Sequence, residues 1–207
     1  MFRILTIDDH EVVRAGIKGI FTSDAAEFGE ARSGVEALKL VREHDWDVAI
    51  LDISLGKRSG LEVLKEIKQL RPRLPVLILS MHAEEQYAMR AFKAGASGYI
   101  SKGSSRDELR AAILKVIKGG RYVSPSLAEH MVVDLSDADK APHEALSDRE
   151  LEVLCLIASG KTGGEIATQL SLSDKTISTY RRRILDKMSM KTNAQMTHYA
   201  IRNHLVD

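Results

Sequence analysis

Residues 48–52 read Val-Ala-Ile-Leu-Asp, four apolar side chains closed by a carboxylate. A short, unbroken apolar run suits a strand covered on both faces, as in a parallel sheet. Two further stretches share this form: residues 3–9, Arg-Ile-Leu-Thr-Ile-Asp-Asp, and residues 76–80, Val-Leu-Ile-Leu-Ser. With Glu27–Ala31 and Gly98–Ser101 they supply five strand segments, Arg3–Ile7, Val48–Asp52 and Val76–Ser80 being the apolar three. Between and after them, apolar residues recur at helical spacing over Val12–Phe21, Val35–Glu43, Leu61–Leu70, Glu84–Ala94 and Asp107–Lys118. Five strand–helix repeats predict an α/β domain, a parallel sheet with helices on both faces and right-handed crossovers.

That alternation stops at Gly119-Gly120, so residues 1–120 are assigned to the first domain. Residues 121–145, with Pro125, Pro142 and several acids, read as a linker in which Pro125–Val133 could form a short helix. Residues 146–207 carry four short helical patterns, a small all-α module. Ser147 with Glu150, and Thr162 with Glu165, each offer a capping box. Ser173 caps a third helix reaching about Met188, and Asn193 precedes a fourth.

Charge is divided along the chain. Ser126–Glu152 holds eight acidic against two basic residues, whereas Asp174–His204 holds seven basic against two acidic. The basic end is where a polyanion would bind. A hydrophobic content of 44% with 29% charged residues is normal for a folded protein, so disorder is not the default reading. The single Cys155 excludes an intramolecular disulfide and a multi-cysteine zinc site; among Leu154, Leu156 and Ile157 it reads as a core thiol. The amino terminus turns acidic too early for a secretion signal, and no apolar run approaches the roughly 20 residues of a membrane span. A cytoplasmic protein without membrane association is expected.

The acids mark strand ends. Asp8 and Asp9 follow the first strand and Asp52 ends the third; Ser80 ends the fourth, and Lys102 follows the fifth. Ligands of open parallel sheets bind beyond the carboxyl ends of strands. In the order 2-1-3-4-5, taken from known doubly wound sheets, strands one and three are neighbours, so these acids converge. Crowded carboxylates need a counter-charge. Mg²⁺ would suit, with Asp9 and Asp52 as direct ligands, Asp8 through water, and the backbone carbonyl of Ser54. Asp52 is then an oriented carboxylate nucleophile for a phosphoryl group, with Lys102 stabilising the moving charge and Ser80 bonding the group afterwards. Isolated acids at loop starts are ordinarily just solvated; five such groups at four strand ends argue against that.

The helix Asp174–Met188 has Ile177, Ile184 and Met188 on one face and Lys175, Ser178, Thr179 and Arg182 opposite. Arg181 and Arg183 flank these faces, and Lys187 sits nearer the buried side. Such a stripe suits a DNA major groove, arginine reading guanine and hydroxyls bonding either pair, while flanking cations hold phosphates. Without context, an arginine-rich helix is usually only a solvated surface.

The set Asp8-Asp9-His10, Asp52, Ser80-Met81-His82, Ala94-Gly95-Ala96-Ser97-Gly98-Tyr99 and Lys102 resembles the receiver domain of two-component response regulators over residues 1–120. Leu146–Ile201 is similar to the carboxy-terminal helix-turn-helix domain of the NarL/FixJ (LuxR-type) regulators, through LSDRELEVLCLIASG and EIATQLSLSDKTIS. The resemblance implies a flavodoxin-like (βα)5 receiver, Asp52 as acceptor of phosphoryl from a sensor histidine kinase, and Ser80 with Tyr99 as a switch pair. It implies that Lys175–Met188 is the recognition helix on double-stranded DNA and that the last helix mediates dimer contacts. Phosphorylation would reshape the surface of the fourth helix, fifth strand and fifth helix, releasing the DNA-binding domain or promoting a homodimer. No turnover of external substrates is expected, only promotion of its own phosphoryl transfer and dephosphorylation. A metal-dependent phosphatase is the alternative enzyme, but Ser54 stands where its second catalytic acid would fall; a protein-binding adaptor is the third reading. The chain departs from the family at Gly56 and Gly103, where proline is common, at Ser178 and Tyr180, and at Gly163-Gly164. Gly56, followed by Lys57 and Arg58, predicts a more mobile and more basic loop beside Asp52.

Overall fold

The computed structural model describes residues 2–22, 26–56, 58–81, 84–124, 127–128, 141–203 and 205–206. Two units are distinguished, Met1–Glu129 and His130–Asp207.

The first unit runs β1 (Phe2–Ile7), α1 (Glu11–Ile20), β2 (Ala26–Ala31), α2 (Gly34–Glu43), β3 (Val48–Asp52), β4 (Ser54–Leu55), β5 (Arg58–Ser59), α3 (Gly60–Leu70), β6 (Val76–Ser80), α4 (Glu84–Lys93), β7 (Gly98–Ser101) and α5 (Arg106–Ile117). The five long strands are parallel in the order β2-β1-β3-β6-β7, the expected 2-1-3-4-5 once β4 and β5 are set aside. Every residue of β3 and β6 is buried, which is why those runs contain no alternation. On one sheet face Ile4, Val48, Ile50, Leu77 and Leu79 pack with Ile17 and Ile20 of α1 and Ala112, Ile113 and Val116 of α5. Each fully buried aliphatic side chain contributes about 1.5–3 kcal/mol. Helix starts follow local chemistry: Ser33 accepts from the amide of Glu36, Ser59 from Leu61 and Ser105 from Glu108.

Three sequence expectations change. The loop after Asp52 is a hairpin, with Ser54 paired to Ser59 and Leu55 to Arg58. Gly56 turns it at φ 54°, a left-handed conformation that proline's ring forbids and glycine adopts freely. Lys57 lies outside the described residues; Arg58 pairs with Glu66. Second, the first unit does not end at residue 120. Tyr122 bridges to Gly98 at the sheet edge and donates its hydroxyl to Glu108 at 2.7 Å, and Leu127 is buried. Of the helix expected over Pro125–Val133, only Leu127 and Ala128 are described, both helical; the rest lies outside the described residues, as does most of the linker. Third, the fourth short helix is capped by Thr192, with Gln195 closing a capping box, and Asn193 is its first residue.

The described elements of the second unit are a 3₁₀ turn, Pro142–Ala145, followed by α6 (Asp148–Ala158), α7 (Gly163–Gln169), α8 (Asp174–Lys187) and α9 (Asn193–Arg202). Both expected capping boxes form, Ser147 with Glu150 and Thr162 with Glu165. Helix α6 is the hub, packing against α7, α8 and α9. Leu151, Leu154, Ile166, Ile184, Met196 and Ala200 are fully buried, and Cys155 is a buried thiol as read.

Candidate functional site

Register brings the acids together. Ile7 lies level with Leu51, so Asp8, one residue on, stands beside Asp52. Asp52 is level with Leu79, and Ser80 with Ser101, so Ser80 and Lys102 advance stepwise along the same edge. The backbone amide of Lys102 donates to the carbonyl of Ser80 at 2.7 Å, fixing that step. Lys102 Nζ lies 2.8 Å from Asp52 Oδ2 and 2.8 Å from Asp8 Oδ2, bridging two carboxylates that are almost fully buried. The contact with Asp52 is an aligned hydrogen bond, whereas that with Asp8 is an ion pair without hydrogen-bond alignment. The second oxygen of Asp52 accepts from the amide of Ser54 at 3.2 Å.

Burial raises the Asp52 carboxyl from 3.8 to about 6; the attraction of Lys102 opposes this and the nearby charge of Asp8 adds to it. Burial also works against the Lys102 ammonium, but Asp52 and Asp8 together hold it above its ordinary range. Lys102 thus answers Asp8 and Asp52, with Asp9 a third carboxylate in the same group. Atoms of Asp8, Asp9, His10 and Asp52 able to ligate a metal lie within 4.8 Å of one another. This oxygen-rich, under-compensated set fits a divalent cation, and hard ions such as Mg²⁺ prefer such donors.

The structure gathers Asp8, Asp9, Asp52, Ser80 and Lys102 as expected. Ser54 adjoins Asp52 at the start of β4, and Tyr99 is buried in β7, as is Ser80 at the end of β6. Gly60 opens α3 where a Cβ would come within 2.1 Å of the Asp52 carbonyl oxygen, so the absence of a side chain lets α3 start against the acid's backbone. Two participants were given no role by the sequence reading. Arg14, almost fully buried, donates Nη1 to the Asp8 carbonyl at 2.8 Å and Nε to Glu30 at 3.1 Å, tying the acid loop to β2. Its signal was a cation three residues before Ile17, on the apolar face of α1. His10 is the other, its ring 2.8 Å from Asp9 Oδ1 and 3.1 Å from Asp8 Oδ1.

On α8, Ile177, Ile184 and Leu185 face inward, while Lys175, Ser178, Thr179, Arg181, Arg182 and Arg183 are exposed. Thr179 bonds the Lys175 carbonyl and Arg181 bonds Asn193. Lys187 differs from the rest of the predicted set: its ammonium lies 2.6 Å from Glu150 Oε2, a carboxylate of the α6 capping box that is only 4% exposed. Burial would raise that carboxyl, but bonds from Lys187 and Ser147 hold it below the usual range. The arginines are open to a nucleic acid; Lys187 is 42% exposed but already pairs with the buried Glu150 carboxylate.

A parallel α/β unit with an acid pocket beside a lysine, joined in one chain to a four-helix unit with an exposed basic helix, defines the class: a receiver coupled to a DNA-binding output. Residues 4–114 match the response regulator receiver domain, and residues 144–200 match the bacterial regulatory proteins of the luxR family. The chain is 35% identical to the response regulator UvrY of Escherichia coli (strain K12), over 99% of this chain and 96% of that one. A two-component response regulator of the LuxR family from Aurantimonas sp. SI85-9A1 superposes with a TM-score of 0.61 at 34% identity, covering 66% of this chain and 99% of that one. The response regulator RcsB from Salmonella enterica serovar Typhimurium has the same fold across both units, with a TM-score of 0.65 at 24% identity over 96% of this chain and 97% of that one. The chain belongs to the two-component response regulators with a LuxR-type helix-turn-helix domain, and is a phosphorylation-dependent regulator of transcription.

Proposed function

We propose that Asp52 is the phosphoacceptor, that Mg²⁺ is the ion of the acid pocket, and that a sensor histidine kinase is the donor. The observation carrying this is the buried Asp52 carboxylate, held by Lys102 at 2.8 Å and flanked by Asp8 at the open end of the sheet. In its ionised form an Asp52 oxygen attacks phosphorus while the phosphorus–nitrogen bond to the kinase histidine, protonated on its other ring nitrogen, breaks, leaving an acyl phosphate here and a neutral imidazole there. Lys102 stabilises the phosphoryl oxygens, and Ser80 bonds one of them after transfer. Mg²⁺, held by Asp9, Asp52 and the carbonyl of Ser54, with Asp8 through water, would add charge neutralisation. Water later hydrolyses the acyl phosphate, so the chain turns over its own phosphate and no external ester.

The output follows from the same reading. Ser80 drawn toward the phosphoryl group, with Tyr99 packed inward behind it, biases the surface of α4, β7 and α5. That frees the second unit or pairs two chains, and paired chains would bind two related half-sites. Lys175, Ser178, Thr179 and Arg182 of α8 face base edges, with Arg181 and Arg183 on phosphates. Among the described residues no helix is long and apolar enough to cross a membrane, in keeping with action in the cytoplasm. The test is labelling by a small phosphodonor with Mg²⁺, comparing the wild type with Asp52→Ala. Label is expected on the wild type alone; equal labelling refutes the assignment.

A further inference from the structure

We propose that His10 is a nitrogen ligand of the acid pocket and biases it toward a borderline transition ion, such as Co²⁺ or Zn²⁺, relative to Mg²⁺. The inference rests on the metal-pocket reading above and adds a donor to it. Three observations carry it. The His10 ring nitrogen lies 2.8 Å from Asp9 Oδ1 and 3.1 Å from Asp8 Oδ1. Two donors at right angles on an octahedral ion, each about 2.1 Å from it, are about 3.0 Å apart, so the 2.8 Å spacing from Asp9 matches adjacent corners of one coordination shell, with Asp8 outside it through water. A ring nitrogen of His10 belongs to the group of ligating atoms within 4.8 Å that includes Asp52.

The ring sits on the acids and not in the core, its Nδ1 hydrogen-bonded to Asp8 Oδ1 at 3.1 Å, a bond that an incoming ion would replace. His10 is the N-cap residue of α1, yet its side chain makes no capping bond. Its backbone amide instead donates to Asp8 Oδ1 at 2.9 Å, which pins the Cα beside the acids. The side chain is 66% exposed, so it can turn onto an ion without repacking the core. Ligand type then sets the preference. Carboxylates and carbonyls suit Mg²⁺, whereas imidazole adds affinity along the first-row series and little for a hard ion. A mixed nitrogen–oxygen shell therefore widens the range of ions that can occupy the phosphorylation pocket.

The experiment uses the full chain as wild type, His10→Ala and Asp9→Asn. Calorimetric titrations with Co²⁺ and Mg²⁺ give the affinities, and electron spin echo spectroscopy of bound Mn²⁺ detects directly coordinated imidazole nitrogen. The expected result is a loss of about tenfold or more in Co²⁺ affinity for His10→Ala, the size typical of a weakened metal shell. Mg²⁺ affinity changes much less, and the nitrogen signal disappears. Asp9→Asn should lose both ions at this site, which separates it from binding at other histidines. A nitrogen signal that survives His10→Ala, or equal fractional losses for both ions, overturns the role of His10 and leaves the Mg²⁺ pocket standing. A wild type that takes up neither ion overturns the pocket reading and this inference together.

Discussion

Replacing Asp52 by asparagine should stabilise the first unit in the absence of divalent ions. Burial lifts this carboxyl from 3.8 to about 6. A difference of that size is worth about 3 kcal/mol, at about 1.4 kcal/mol per pH unit. The sign follows from proton binding. Between pH 3.8 and about 6 the folded state holds a proton that the unfolded chain has released, so stability falls as pH rises through this window. Above it, the wild type carries the full burden of a buried carboxylate. Asparagine removes that burden but also the bond to Lys102, which keeps Asp8 as its partner, so about 3 kcal/mol is an upper bound. Trp46 is the single tryptophan; it lies in the first unit and donates its indole N–H to the Leu40 carbonyl at 3.1 Å. Its fluorescence therefore reports urea unfolding of this unit, in a chain where one global two-state transition is not assured. With chelator present, Asp52→Asn should exceed the wild type by about 1–3 kcal/mol at pH 7, the gap closing toward pH 4. Added Mg²⁺ should narrow it at pH 7 by stabilising the wild type alone. An Asp52→Asn protein no more stable than the wild type at pH 7, or a gap independent of pH, would refute this account of the pocket.

Gly60→Ala places a Cβ within 2.1 Å of the Asp52 carbonyl oxygen, so we expect a loss of about 1–3 kcal/mol and slower labelling by a phosphodonor; unchanged labelling kinetics would count against α3 as a backstop for the acid. Gly56→Pro, which restores the residue common in related receivers, should destabilise by about 1–3 kcal/mol, because φ 54° is closed to proline; urea midpoints decide it. Lys187→Met leaves Glu150 buried without its cation and should lower the stability of the second unit by about 1–3 kcal/mol, read by calorimetry. Arg182→Ala should leave stability within about 0.5 kcal/mol while costing about 1–3 kcal/mol of DNA binding and relaxing its sequence preference; a melting point shifted as far as that of Lys187→Met would mean that Arg182 is structural.

The five long strands, their helices and the capping boxes at Ser147 and Thr162 were legible in the sequence alone, because each depends on residues within a turn or two of one another. Asp52 and Lys102 could be named as site residues for the same reason: each sits at a strand end that local periodicity marks. That Lys102 meets both Asp8 and Asp52 at 2.8 Å depends on strand order and register, which local pattern does not encode. The β4–β5 hairpin was missed because strands of two residues leave no alternation to read, and only the left-handed Gly56 explains why proline is absent there. Arg14 and Lys187 took their roles from partners elsewhere in the fold, Glu30 on β2 and Glu150 37 residues away, whereas His10 pairs with its own neighbours Asp8 and Asp9. A charged side chain's identity is local, but the charge it answers is chosen by tertiary packing, and that choice made Lys187 a structural cation while Arg182 stayed exposed.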